Sequence, residues 1–96
     1  MHVLALTVEM HLSECRSLKA KRSVLKPVIE GARRRFSVAV AETDHQNTWQ
    51  RSTIGVAAVS ASAGHAEEVI DEVERFIWSF PDVHVLSVKR TWMEID

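Results

Sequence analysis

Ninety-six residues, 46% hydrophobic and 26% charged, have the composition of one ordinary globular domain with a modest core. A net charge of −1 excludes a chain that is basic throughout, and a single cysteine excludes an internal disulfide. No apolar run approaches the ~20 residues that span a bilayer. Residues 3–8 are short and lack a basic leader, so no signal peptide and a cytoplasmic location are expected.

Residues 3–12 alternate, with Leu4, Leu6, Val8, Met10 and Leu12 on one face and Val3, Ala5, Thr7, Glu9 and His11 on the other. Period two over such a length predicts a strand. After a polar break, Ser17 is the candidate N-cap of a helix predicted over residues 17–35. Leu18, Leu25, Val28, Ile29 and Ala32 recur on its apolar side, opposite Lys19, Arg22, Lys26, Glu30 and Arg33. Pro27 lies inside it and removes the bond to the carbonyl of Ser23, at about 3 kcal/mol, so one kinked helix is expected.

Alternation of Phe36, Val38 and Val40 predicts a second strand, residues 44–48 a polar loop, and residues 50–62 a third strand. The short loop implies an antiparallel hairpin. Residues 64–79 read as a helix with the stripe Ala66, Val69, Ile70, Val73, Phe76 and Ile77, and with Glu67 and Glu68 in its first turn. Pro81 ends it. Residues 83–95 form the last strand, whose alternation blurs at Lys89 and Arg90 and points to a bulge there. The order β-α-β-β-α-β predicts an α+β, ferredoxin-like domain over residues 1–96: a four-stranded antiparallel sheet in order 4-1-3-2 with both helices on one face.

Charge is divided unevenly along the chain. Residues 16–35 hold eight of the twelve Lys and Arg against one acid, Glu30, while residues 67–74 hold five acids and no base. The predicted topology gathers the end of the first strand, the start of the first helix and the hairpin at one end of the sheet. Lys19, Lys21, Arg22 and Arg51 would then surround the free N–H groups of that helix, beside Trp49, and form a site for a partner or an anion. The competing reading pairs Lys21, Arg22 or Arg51 with Glu42 and Asp44 in exposed ion pairs worth under about 1 kcal/mol each.

Trp49 is either a partner anchor or a lid over the sheet end, whereas Trp78 and Trp92 read as core or edge packing. His2, His11, His45, His65 and His84 lack ligand spacing, and no metal is expected. Cys15 precedes a helix N-terminus but has only His11 nearby as a base, so a bystander thiol is expected. With three glycines and no phosphate loop, nucleophile elbow or paired-carboxylate motif, neither an enzyme nor a cofactor site is expected.

The face without helices should display Ala5, Thr7, Glu9, Ala39, Ala41, Thr53, Gly55, Ala57 and Val59. No stacking aromatics stand on its central strands, so it does not read RNA as aromatic sheet surfaces do. It is flat, small and mostly apolar, and a homodimer through Ala5, Thr7, Ala39, Ala41, Thr53, Ala57 and Val59 is expected.

Ser17-Leu18-Lys19-x-Lys21-Arg22, Ala41-Glu42-Thr43-Asp44, Trp49-Gln50-Arg51 and Ile54-Gly55-Val56 together resemble the YlxP-like family over almost the whole chain. The resemblance implies a cytoplasmic bacterial protein of ferredoxin-like fold with no established activity and no catalytic residues to carry over. Genes of that family often lie beside those for transcription elongation, translation initiation and small-subunit maturation factors, which implies work near the ribosome or its RNA. Pro27 and Thr43 depart from the commoner family residues.

Three functions therefore compete. The first is a non-enzymatic accessory protein of translation or ribosome assembly, contacting RNA or an acidic protein through the basic start of the first helix. The second is an oligomeric binding module for a small anionic ligand at the same end. A small hydrolase or thiol enzyme ranks last, because no constellation of catalytic groups supports it.

Overall fold

Alternating and helical patterns become six elements: β1 (His2–His11), α1 (Leu18–Phe36), β2 (Ala39–Asp44), β3 (Arg51–Ser60), α2 (Ala63–Trp78) and β4 (His84–Glu94). The computed structural model describes residues 1–95. The strands form one antiparallel sheet in the order β2-β3-β1-β4, with β2 and β4 at its edges. Read from the other edge, this is the expected order, and the fold is ferredoxin-like.

Register assigns the two faces. Leu4, Leu6 and Val8 of β1 stand opposite Ala58, Val56 and Ile54 of β3, and all six are buried beneath the helices. Leu25, Val28 and Ala32 of α1 and Ala66, Ile70, Val73 and Ile77 of α2 complete this core. Each large aliphatic side chain so buried contributes about 1.5–3 kcal/mol. Among the described residues no helix is long and apolar enough to cross a membrane.

Both helix starts are capped by serine. Ser17 accepts from the Ala20 amide at 3.0 Å, and Ser62 accepts from the His65 amide at 3.3 Å. The second cap starts α2 at Ala63, one residue earlier than expected, so Glu67 and Glu68 fall just beyond its first turn rather than within it. Helix α1 runs unbroken through Pro27, whose ring is exposed, and Ser37 closes it in the left-handed region with φ 53°. Phe36 belongs to this helix rather than to β2, because its ring packs edge-on against Phe76, 5.6 Å between centroids.

The bulge of β4 lies earlier than Lys89 and Arg90. Glu9 pairs with Ser87 and Met10 with Val85, leaving Leu86 as the extra residue. Arg90 blurs the alternation for a different reason. It stands opposite Leu6 on the helix side and reaches Asp71 at 2.8 Å and Glu74 at 3.1 Å on α2. An inward-turned charge of this kind also protects an edge strand. Trp92 packs at the same edge, with the His2 ring edge-on at 6.5 Å. Trp78 is 57% exposed, so the expectation of core packing fails for it.

The two helices touch where Gly31 meets Phe76. A Cβ on residue 31 would lie 2.6 Å from the Phe76 ring, which is itself held by Phe36, by Phe80 at 5.0 Å and by the Arg35 guanidinium at 4.9 Å. Alanine would add about 1 kcal/mol of helix propensity but overpack this contact by about 1–3 kcal/mol. Gly31→Ala is therefore expected to lower the midpoint of urea unfolding, whereas the exposed Ser23→Ala leaves it nearly unchanged.

Candidate functional site

Helix α1 supplies the basic residues, and its 3.6-residue period sorts them. Lys21, Leu25, Val28 and Ala32 share the buried side, whereas Lys19, Arg22, Lys26, Arg33 and Arg34 are exposed. Lys21 is the correction to the expected surface cluster. It is 2% exposed, its Nζ lies 2.9 Å from Glu42 Oε2, and it donates to the His45 carbonyl. Ser52 donates to the same Glu42 oxygen at 2.6 Å. Glu42 continues the inward face of Val38 and Val40 along β2, and His45 adopts φ 63°, a left-handed turn within the hairpin loop.

Arg51 is the second correction. It sits on the face of the sheet without helices, opposite His11 in register, with Glu9 3.7 Å from its guanidinium. Ser52, one residue on, faces α1, so the sheet itself separates Arg51 from Lys21. The expected gathering of loops does occur at this end. Leu12 donates its amide to Gln50, and the Gln50 side chain donates to the carbonyls of Ser13 and Cys15 at 3.4 and 3.3 Å. Trp49 follows from that loop with 51% of its surface exposed, which removes the reading of it as a lid.

Between α1 and the outer edge of β2 runs a groove of about 310 Å³. Its floor is Leu18, Leu25 and Ile29, and its rim carries Arg22, Lys26 and Arg33 against one exposed acid, Glu30. The outward carbonyls of β2 are already engaged there: Arg33 donates to Val40, and Gln46 donates to Glu42 at 3.5 Å. These side-chain caps block addition of a further strand to this edge. Sequence reasoning placed the site at the first turn and missed Lys26, Arg33 and Gln46. The recurrence of cations at positions 19, 22, 26 and 33 on one side of α1 was the available signal.

Cys15 is buried, and burial first, then the nearby negative charge of Asp82, pushes its thiol pKa up, with Lys21 opposing. A thiol in that state is protonated at neutral pH and a poor nucleophile. His11 and His84 are paired across β1 and β4 with ring centroids 6.4 Å apart. Among the described residues no three His, Cys, Asp or Glu side chains are placed to hold a metal ion.

The buried ammonium makes a clear prediction. Lys21→Ala strands Glu42 without its counter-charge and should cost about 3 kcal/mol in denaturant unfolding, because breaking a buried pair is expensive. The exposed Arg22→Ala should change stability by less than about 0.5 kcal/mol. Equal losses for the two variants would show that the Lys21 network is not a structural element.

A match to the family described as "Protein of unknown function (DUF503)" spans residues 3–90. The "Uncharacterized protein YlxP" of Bacillus subtilis (strain 168) is 40% identical over 76 residues, covering 79% of this chain and 83% of that one. The fold is also similar to two de novo designed proteins. One, Foldit4, has a TM-score of 0.57 at 13% identity over the whole of both chains. The other, LFR1 1 with ferredoxin fold, has a TM-score of 0.56 at 14% identity over 100% of this chain and 89% of the design. A C-terminal segment of the alpha subunit of aIF2 from Pyrococcus abyssi has a TM-score of 0.52 at 15% identity, covering 98% of this chain and 51% of that one. At such identities these likenesses describe the fold alone. The family match and the Bacillus relative agree with the motifs read from the sequence: the chain belongs to the DUF503, or YlxP-like, family.

Proposed function

We propose that this chain is a non-enzymatic, cytoplasmic accessory protein of translation or ribosome assembly that contacts RNA through the outer face of α1. One observation carries the reading. Lys19, Arg22, Lys26 and Arg34 are exposed along that helix, and among the described residues none of them has a carboxylate within ion-pair distance. These cations are spread over roughly 22 Å of α1, with Glu30 the one exposed acid among them, and match the closely spaced charge of a nucleic-acid backbone. The surface is therefore the length of α1 rather than the cluster at its first turn, with Arg33 at the groove rim and Trp49 on the loop beside its N-terminal end. Phosphate contact from side chains gives affinity without base specificity, which suits a helix that carries no exposed aromatic residue. The gene neighbourhood implied by the YlxP-like resemblance directs this RNA reading to the ribosome.

The groove favours a second reading. An apolar floor under Arg22, Lys26 and Arg33 suits a small organic anion, and its volume lies at the low end of ligand sites. Native mass spectrometry of protein purified without denaturation would display such a ligand as a discrete added mass.

The test of the first reading is salt dependence. With about four phosphates neutralised, the logarithm of affinity for RNA oligonucleotides or small ribosomal subunits should fall with the logarithm of salt at a slope of about −3, given ~0.7–0.9 per phosphate. Arg22→Glu with Lys26→Glu should abolish binding while unfolding curves stay unchanged. Salt-independent binding, or full binding by the double variant, refutes the proposal.

A further inference from the structure

The helices leave one sheet face open, and its cross-strand rows run from apolar to charged. Register places Val59, Val3 and Met93 in one row, followed by Ala39, Ala57, Ala5 and Thr91. The central row is Ala41, Gly55, Thr7 and, on the edge strand β4, Lys89; nearer the other end lie Thr53, Glu9 and Ser87, and then Arg51 and His11. Val59 is 63% exposed and Met93 is 58% exposed, so the first row is an apolar edge standing in water.

A second feature on the same face is independent of its small residues. Thr53 is only 6% exposed, and its Oγ1 is buried without a hydrogen-bond partner. A buried hydroxyl left unpaired costs about 1–3 kcal/mol, so native proteins usually supply it with a partner. Thr53 stands opposite Glu9 in the same chain, whose carboxylate is 3.7 Å from Arg51 and 3.3 Å from the Ser87 hydroxyl.

We propose that a second copy of this chain covers this face, about a two-fold axis parallel to the strands. The sheet order puts the midline between β3 and β1, so such an axis lays β3 of one copy over β1 of the other. Every row then falls on its own counterpart. Val3 and Val59 meet Val59 and Val3 of the second copy, which removes the exposed apolar row from water. At the other end, the second copy's Glu9 comes over Thr53 and Arg51, where its carboxylate faces the guanidinium and, once the side chains covering Thr53 turn aside, accepts from the unpaired hydroxyl. Ala5, Ala57 and Gly55 keep the centre flat enough for sheets to pack at about 10 Å. A two-fold axis running across the strands at the Thr7 row is excluded by the same rows, because it would press Arg51 onto Val59, His11 onto Val3 and Glu9 onto Ala5.

Helix α1 lies on the opposite side of the sheet, so self-association and RNA contact succeed or fail separately. Sedimentation velocity of the full chain at micromolar concentration should show a dimer. Ala57→Glu and, at a site already exposed, Val59→Lys should each give monomers with unchanged far-UV circular dichroism. Glu9→Arg alone and Arg51→Glu alone should each weaken the dimer about tenfold or more, and the exchange of both should restore it, as for close interfacial charge pairs. A wild-type chain that stays monomeric, a dimer that survives Val59→Lys, or a double exchange no better than either single change would overturn the proposal.

Discussion

A lysine ammonium withdrawn from water is the constraint around which the functional end of this molecule is organised. Moving such a charge into the interior costs several kcal/mol even after relaxation, and only close opposite charge with further hydrogen bonds offsets that. Lys21 receives both, from Glu42 of β2 and from the His45 carbonyl, while Ser52 of β3 holds the carboxylate in place. The first turns of α1 are thereby tied to an edge strand, to its neighbour and to the hairpin loop at a single point. Apolar residues of similar volume could fill the space with equal or greater stability. They would not fix the rotation of α1 about its axis, and that rotation is what turns Arg22, Lys26 and Arg33 toward the groove.

Much of this was legible in the sequence. The alternation of β1 and β3, the Ser17 cap and the crossover order were read correctly, because each rests on a period or a local hydrogen bond that tertiary context did not override. Ser62, read as the end of the third strand, is instead the cap of α2. Lys21 was misplaced for an instructive reason: it was counted with its charged neighbours rather than with its period. The spacing of 21, 25, 28 and 32 puts it on the buried side of α1, and Glu42 continues the inward face of Val38 and Val40. Two opposite charges predicted to face the same interior are evidence for a buried pair. Arg51 was misplaced by ignoring the period of two, which sends it and Ser52 to opposite faces. The bulge at Leu86 could not have been placed in the same way, since it depends on the register between strands far apart in sequence.

The two helices divide the charge of the chain between them and use it differently. Acids of α2 are partly consumed internally, where Asp71 and Glu74 clamp Arg90 of the edge strand β4. Cations of α1 are consumed only where they turn inward or sideways: Lys21 on Glu42, Arg33 on the Val40 carbonyl and Arg35 over the Phe76 ring. The remaining ones face solvent. A net charge near zero therefore conceals a helix layer with one strongly positive ridge beside a negative one. A polyanion approaching the layer is attracted to α1 and repelled from α2, so it is oriented as well as held.

Both unsatisfied surfaces follow from a two-layer fold of this size. With helices on one side only, the sheet's other face must be polar or must be covered. Here the central strands carry alanine, glycine and threonine, which neither hydrate well nor pack deeply. Small residues allow close approach of another flat surface, but they supply little apolar area, so a stable contact has to draw on the row of Val3, Val59 and Met93 and on the charges around Glu9. The hydroxyl of Thr53 lies in the row of Glu9, buried by its neighbours yet unpaired within the chain. If the face is closed by a second copy, the outer surfaces of the assembly are the two helix layers. The basic ridge would then be presented twice, on opposite sides, and doubled cations on a rigid core raise the effective concentration of the second contact once the first is made.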